Sequence, residues 1–249
     1  MTPYEKQVYI QLQFWQLKMQ KKPSVASRLA KIIQNKINGL IPEKVHAAIT
    51  LAIEKMVKGV LFGARYTTKA PTEDTSLQLR EAYVKTQTEF YQKTASVEGA
   101  IAGAGGILLG LADFPILIGI KIKLLFDIAS LYGYDVNDYK ERLYILYIFQ
   151  LAFSSQEGRN EVYKLIANWQ GYSKSLPDDV QEFDWRSFQQ EYRDYIDLAK
   201  MAQLIPVIGA AVGAIVNYRL IAHLGKTAMN CYRMRKVSPM KIFPFEAEG

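Results

Sequence analysis

Apolar positions along the chain recur at three- and four-residue spacing and alternating runs are scarce, a pattern that predicts helix nearly throughout. Val8, Leu12, Trp15 and Met19 fall on one stripe of a first helix that Pro23 ends, and Ser24 caps a second through about Asn38. Pro42 and Glu43 open a third, with Val45, Ile49, Ala52, Ile53, Met56, Val60 and Leu61 on its apolar face. Residues 62–74 carry turn formers without periodicity and read as a loop, before a more polar helix from Leu77 to Thr94. Beyond a turn at Gly133–Asn137, Asp138 and Glu141 have the spacing of a capping box, and the helix they open turns Leu143, Leu146, Tyr147, Gln150 and Leu151 inward. Further helices are expected from Gly158 to Trp169, from Trp185 to Gln203 and from Pro206 to about Lys236, with an acidic loop from Gly171 to Asp184.

Two segments depart from this pattern. Residues 95–112 place Gly99, Gly103, Gly105, Gly106 and Gly110 among Ala and aliphatic side chains. Glycine costs a helix interior roughly 1 kcal/mol relative to Ala, so the run carries a penalty of about 5 kcal/mol that close packing must offset. Gly99 with Gly103, and Gly106 with Gly110, are small-x-x-x-small pairs that let another helix backbone approach, and Gly209 with Gly213 repeats the device. The two glycine faces are expected to pack on one another or on a shared neighbour. Gly99 to Ile120 is long enough to span a bilayer, but Asp113-Phe114-Pro115 has the grammar of a helix start, so the run reads as two helices joined at Ala112–Asp113. The second segment meets Asn217 and Arg219 soon after Ile205. A hairpin buried in protein is favoured over a membrane span, and one that also enters a bilayer is the lesser alternative.

The fold class is therefore all-α, a single multi-helix bundle in which a glycine-rich apolar hairpin packs against a long C-terminal helix. Residues 1–94 supply amphipathic helices, 95–236 the helical core and 237–249 a loose tail.

Composition narrows the chemistry. Among 249 residues there are one Cys and two His, which excludes an internal disulfide and a three-His zinc centre. His46 and His223 stand alone on helices, and Cys231 reads as a small buried apolar residue. Gly225-Lys226-Thr227 has Leu220 where a P-loop needs glycine, and Gly103 to Leu108 lacks the third glycine of a dinucleotide fingerprint. No metal or cofactor is expected, and the balance tilts against an enzyme. The polar residues inside the glycine segments, Glu98, Asp113, Asn217 and Arg219, are the candidates for binding a ligand or partner. Helix capping accounts for Asp113, and Glu98 with Arg219 has the makings of an ion pair between the glycine helices. As an acid/base pair Glu98 and Asp113 would lie roughly 22 Å apart on one straight helix. Tyr132, Tyr134, Tyr139, Tyr144 and Tyr147 gather around the exit of the hairpin.

Net charge is +7, from 31 Lys and Arg against 24 Asp and Glu. Basic residues concentrate near the start (Lys18, Lys21, Lys22, Arg28, Lys31, Lys36) and the end (Arg233, Arg235, Lys236, Lys241), a layout that fits an anionic membrane surface better than nucleic acid. The charged amino terminus is no signal peptide, so a cytoplasmic location is expected.

In this context Gly103 to Gly110, Asp113 with Pro115, the Tyr132 to Asp135 turn and the Ile205 to Asn217 helix together resemble the EcsC protein family, over about residues 95–235. The resemblance implies a bacterial-type protein encoded in some genomes beside an ABC exporter, and it supplies no catalytic residue. The first ninety residues add nothing to the likeness. The expected function is a non-enzymatic cytoplasmic protein docking peripherally at the inner face of the membrane, on anionic lipid or on a membrane protein such as an ABC transporter. The alternative is an enzyme or carrier of a small apolar ligand, with its pocket between the hairpin and the C-terminal helix. A helical scaffold for a partner protein is third.

Overall fold

The computed structural model describes residues 2–21, 43–62, 75–104, 106–154, 156–184, 186–188 and 210–237. Among them there is no β-strand. The helices are α1 (Pro3–Gln20), α2 (Glu43–Phe62), α3 (Leu77–Ala104), α4 (Gly106–Leu131), α5 (Tyr139–Phe153), α6 (Gln156–Ala167), α7 (Trp169–Ser175) and α8 (Ala210–Lys236), with a 3-10 turn at Val180–Glu182. The expected second helix, the 62–74 loop, most of the 185–203 helix, Gly209 and the tail lie outside the described residues.

Local chemistry explains most boundaries. Thr2 caps α1 by accepting from the Glu5 amide while the Glu5 carboxylate accepts from the Thr2 amide. Val8, Leu12 and Met19 are buried along α1, and Ile49, Ala52, Ile53, Met56, Val60 and Leu61 along α2, as the three- and four-residue spacing requires. Gly133 closes the turn after α4 with φ 83, a conformation in which its lack of a Cβ is used.

Three local expectations fail. The polar helix does not stop at Thr94 but continues through the first glycines to Ala104, and the next helix, from Gly106, runs unbroken through Ala112 and Asp113, where a junction is expected from the sequence. Asp113 is thus no cap: it lies within α4, as does Pro115 two residues on. Tertiary packing overrides the Asp-x-Pro signal, because Phe114, Leu117 and Ile118 are buried on consecutive turns and hold this stretch helical. At α5 the Asp138 carboxylate accepts from the Lys140 amide, but Glu141 does not complete the box; its carboxylate bonds Tyr232 and Arg235 instead. Residues 171–175 belong to α7 rather than to the acidic loop.

The core is built on an antiparallel pair. Glu81 faces Arg233, Thr88 faces Gly225, Ser96 donates to the Ala214 carbonyl and Gly99 meets Gly213, so α3 and α8 lie against each other along most of their length. Helix α4 folds back on α3, α2 covers α4 and α5, and α1 crosses α8 and α6. Gly225 is spent on this packing, since a Cβ there would stand 2.7 Å from the Thr88 methyl, which accounts for glycine in the failed P-loop.

Candidate functional site

The α3–α8 seam has a polar layer at each end. At the glycine end, a Cβ on Gly99 would lie 2.6 Å from the Gly213 carbonyl oxygen and 2.8 Å from Asn217 Nδ2. Asn217 donates through that nitrogen to the same carbonyl at 3.2 Å, and its Oδ1 accepts from Lys121 Nζ at 3.1 Å. Lys121 also donates to the Leu117 carbonyl and is fully buried. Lys121 thereby ties α4 to α8 at the point where α3 and α8 pack closely at Gly99 and Gly213. Asn217 was a candidate from its place in the glycine segment; Lys121 was not, although a lone cation between Leu117, Ile118, Leu124 and Leu125 on an apolar stripe is itself a signal.

Burial lowers the Lys121 amine to about pKa 7. Between that value and the 10.5 of an ordinary lysine the unfolded chain binds more protons than the folded one, so stability rises with pH across the window. Lys121→Met should remove this rise and gain about 1 kcal/mol at pH 7, the cost of burying the charge being larger than that of the Asn217 bond it loses. Urea midpoints of both proteins at pH 7, 8 and 9 check it; parallel pH dependences would show that Lys121 carries none of the slope.

The other layer lies roughly 30 Å along α8, at 1.5 Å per residue from Gly213 to Arg233. Arg233 grips Glu81 with Nε at 2.7 Å and Nη2 at 2.5 Å, and Glu81, 0% exposed, also accepts from Tyr4 and Tyr132. Burial alone would raise the Glu81 carboxyl, but Arg233 and the two phenols together hold it below the usual range. Next to it Arg235 pairs with Glu141 at 2.7 Å, with Tyr232 donating to the same carboxylate. Here burial wins, and Glu141 is raised despite its cation. The Arg235 guanidinium sits 3.7 Å from the centroid of Tyr134 and 4.5 Å from that of Tyr144, and Tyr132 stacks on Tyr232. Of the tyrosines expected around the hairpin exit, Tyr132, Tyr134 and Tyr144 meet this charge layer, whereas Tyr139 packs on Phe183 and Tyr147 on Trp169, Tyr172 and Phe188. Arg233 and Arg235 therefore hold the fold together, and the basic C-terminal end does not flank the glycine contact but stands at the opposite end of the helix pair.

The remaining candidates separate. Arg219 is exposed and Glu98 half-buried, and no ion pair joins them. Glu98 and Asp113 are not at two ends of one helix: they stand on α3 and α4 respectively, with no hydrogen bond between them. Gly103, Gly106 and Gly110 lie on helical backbone on either side of residue 105, where the surroundings of these positions fall outside the description. His223 donates from Nε2 to the Ala152 carbonyl, and Cys231 is buried. No group of His, Cys, Asp and Glu among the described residues could hold a metal ion. A cavity of about 860 Å³ does exist, but between α1, the end of α5 and α8 rather than between hairpin and C-terminal helix, and none of Glu98, Asp113, Asn217 or Arg219 lines it.

With this geometry in place, comparison with known sequences is decisive. The profile of the EcsC protein family matches residues 6–237. The chain belongs to that family. The match takes in residues 6–90, which add nothing to the likeness of the motifs, and the structure shows why they belong: Glu81 is a member of the charge layer that Arg233 completes. This EcsC-family chain is 46% identical over 222 residues to protein EcsC of Bacillus subtilis (strain 168), covering 89% of the chain and 91% of the relative. It is 26% identical to the uncharacterized protein YdbA of the same organism over 249 aligned positions, 91% of the chain and 90% of the relative. No solved structure matches it.

Proposed function

We propose that this EcsC-family protein docks peripherally on a membrane surface with the glycine end of the α3–α8 pair. The carrying observation is exposed apolar surface on both flanks of that end: Val97 is 60% and Ile101 59% exposed on α3, Ile215 53% and Tyr218 46% on α8. Two residues along a helix turn the side chain by about 200°, so Val97 and Ile101 point away from the Gly99 contact and Ile215 away from the Gly213 contact. The end is therefore an apolar wedge rather than one flat face, a shape suited to the headgroup boundary of a bilayer. Exposed Lys93 and Arg219 stand beside it and favour anionic lipid. No described helix is long and apolar enough to cross a membrane, which suits contact at the surface. An accessory role beside an ABC exporter at the inner face of the membrane would place the dock next to that complex.

Flotation with anionic vesicles tests the reading. The chain should float at low salt, and the Val97→Asp, Ile101→Asp double variant should reduce the floated fraction at least fivefold; absence of flotation at low salt on both anionic and neutral vesicles would sink it. A second reading is favoured by Leu79, Tyr83 and Phe90, which continue the exposed stripe down α3 and fit a partner helix. Leu79→Asp with Phe90→Asp separates the two, because membrane docking at the glycine end leaves flotation of this variant unchanged.

A further inference from the structure

The 860 Å³ cavity beside α8 lies within the range of small-molecule sites, and its lining is divided by chemistry. Lys18 of α1, Arg159 of α6 and Lys226 of α8 all line it, and no carboxylate stands among its described lining residues. Arg233 also reaches the cavity, but its charge is met by Glu81 from outside it. The three other cations form no ion pair among the described residues. Arg159 Nε is buried with no hydrogen-bond partner among them, an arrangement that costs free energy which a bound acceptor would return. The rest of the wall is mixed: Gln11, Ser154, His223, Thr227 and Asn230 line it together with Trp15, Leu151 and Phe153, which supply an apolar floor, and Phe14, 70% exposed, stands at its edge. Cations and an unmet donor around an apolar floor complement a molecule that carries an anionic oxygen head on a hydrocarbon chain.

We infer that this cavity binds a single-chain anionic amphiphile, with its head between Lys18, Arg159 and Lys226 and its chain over Phe14, Trp15, Leu151 and Phe153. The site is separate from the glycine end of the molecule and does not depend on docking there. Dodecyl phosphate, titrated calorimetrically into the full chain below its micelle concentration, is the probe. It should bind once per chain, with inorganic phosphate and the uncharged dodecyl maltoside each at least tenfold weaker. Arg159→Gln and Lys226→Gln should each weaken it about tenfold, the loss of one charge-assisted contact, while Val97→Asp leaves it unchanged. Thermal melts confirm that the variants fold, and Lys226, exposed on the rim, remains informative if Arg159→Gln does not. Equal binding of dodecyl maltoside would reveal a merely apolar patch, and equal binding of inorganic phosphate a site for the free anion. Either result overturns the inference, as does absence of binding or indifference to both substitutions.

Discussion

Arg233→Ala should destabilise the protein by about 3–5 kcal/mol, the range for removing one partner of a buried pair. The substitution leaves a carboxylate at 0% exposure with only the Tyr4 and Tyr132 hydroxyls to meet it, and strips Asn230 and Gln11 of their contacts with the guanidinium. A loss of this size is a large fraction of the 5–15 kcal/mol typical of a folded domain, so at physiological temperature much of the variant is expected to be unfolded. Removing both charges is a different matter. Glu81→Met with Arg233→Met takes away the desolvation cost together with the attraction, and should recover most of the loss, giving a coupling energy of at least about 2 kcal/mol in a double-mutant cycle. Urea unfolding of the four proteins measures it. If the single substitution costs less than about 1 kcal/mol, the pair contributes no more than a surface bridge and the charge layer is not what holds α3 to α8.

The second large effect is expected at Gly99. A leucine there must place its Cβ within 2.6 Å of a backbone oxygen, and backbone cannot rotate away as a side chain would. Either the helices part or the Asn217 amide, 2.8 Å from that Cβ, is pushed off the Gly213 carbonyl and loosened from Lys121. A cost of about 3 kcal/mol, the upper end of ordinary overpacking, is expected for Gly99→Leu, and roughly half that for Gly99→Ala. Gly119 provides a control within the same bundle, because a Cβ there meets nothing within 4 Å. Gly119→Ala should stabilise by up to about 1 kcal/mol through helix propensity alone, so the two alanine variants should shift the melting temperature in opposite directions. Shifts of the same sign would mean that the α3–α8 contact is looser than the structure shows.

How far the sequence revealed this protein depends on the distance over which each feature is encoded. The helices were legible because a buried stripe such as Ile49, Ile53, Met56 and Val60 repeats within one turn, and the Gly99–Gly213 contact because small residues at four-residue spacing have few other uses. Asp113 misled because Asp-x-Pro is a local signal, whereas the burial of Phe114, Leu117 and Ile118 that overrides it comes from other helices. Glu141 misled in the same way: its spacing from Asp138 describes a cap, but its partner Arg235 lies 94 residues away. The Glu81–Arg233 pair, separated by 152 residues, leaves no local trace at all. The cavity is still less visible, being shared among residues of α1, α5, α6 and α8 whose neighbours along the chain are unremarkable.

The antiparallel pairing of α3 with α8 also sets an order for synthesis. Glu81 leaves the ribosome 152 residues before its cation, and the helix that closes the seam is the last one described. Until Arg233 emerges, α3 carries a carboxylate that cannot be buried without penalty and a bare glycine face with nothing to cover it. The α3–α8 seam can therefore close only after the C-terminal helix has been made. The final structure locks only when the C-terminal helix slides into place.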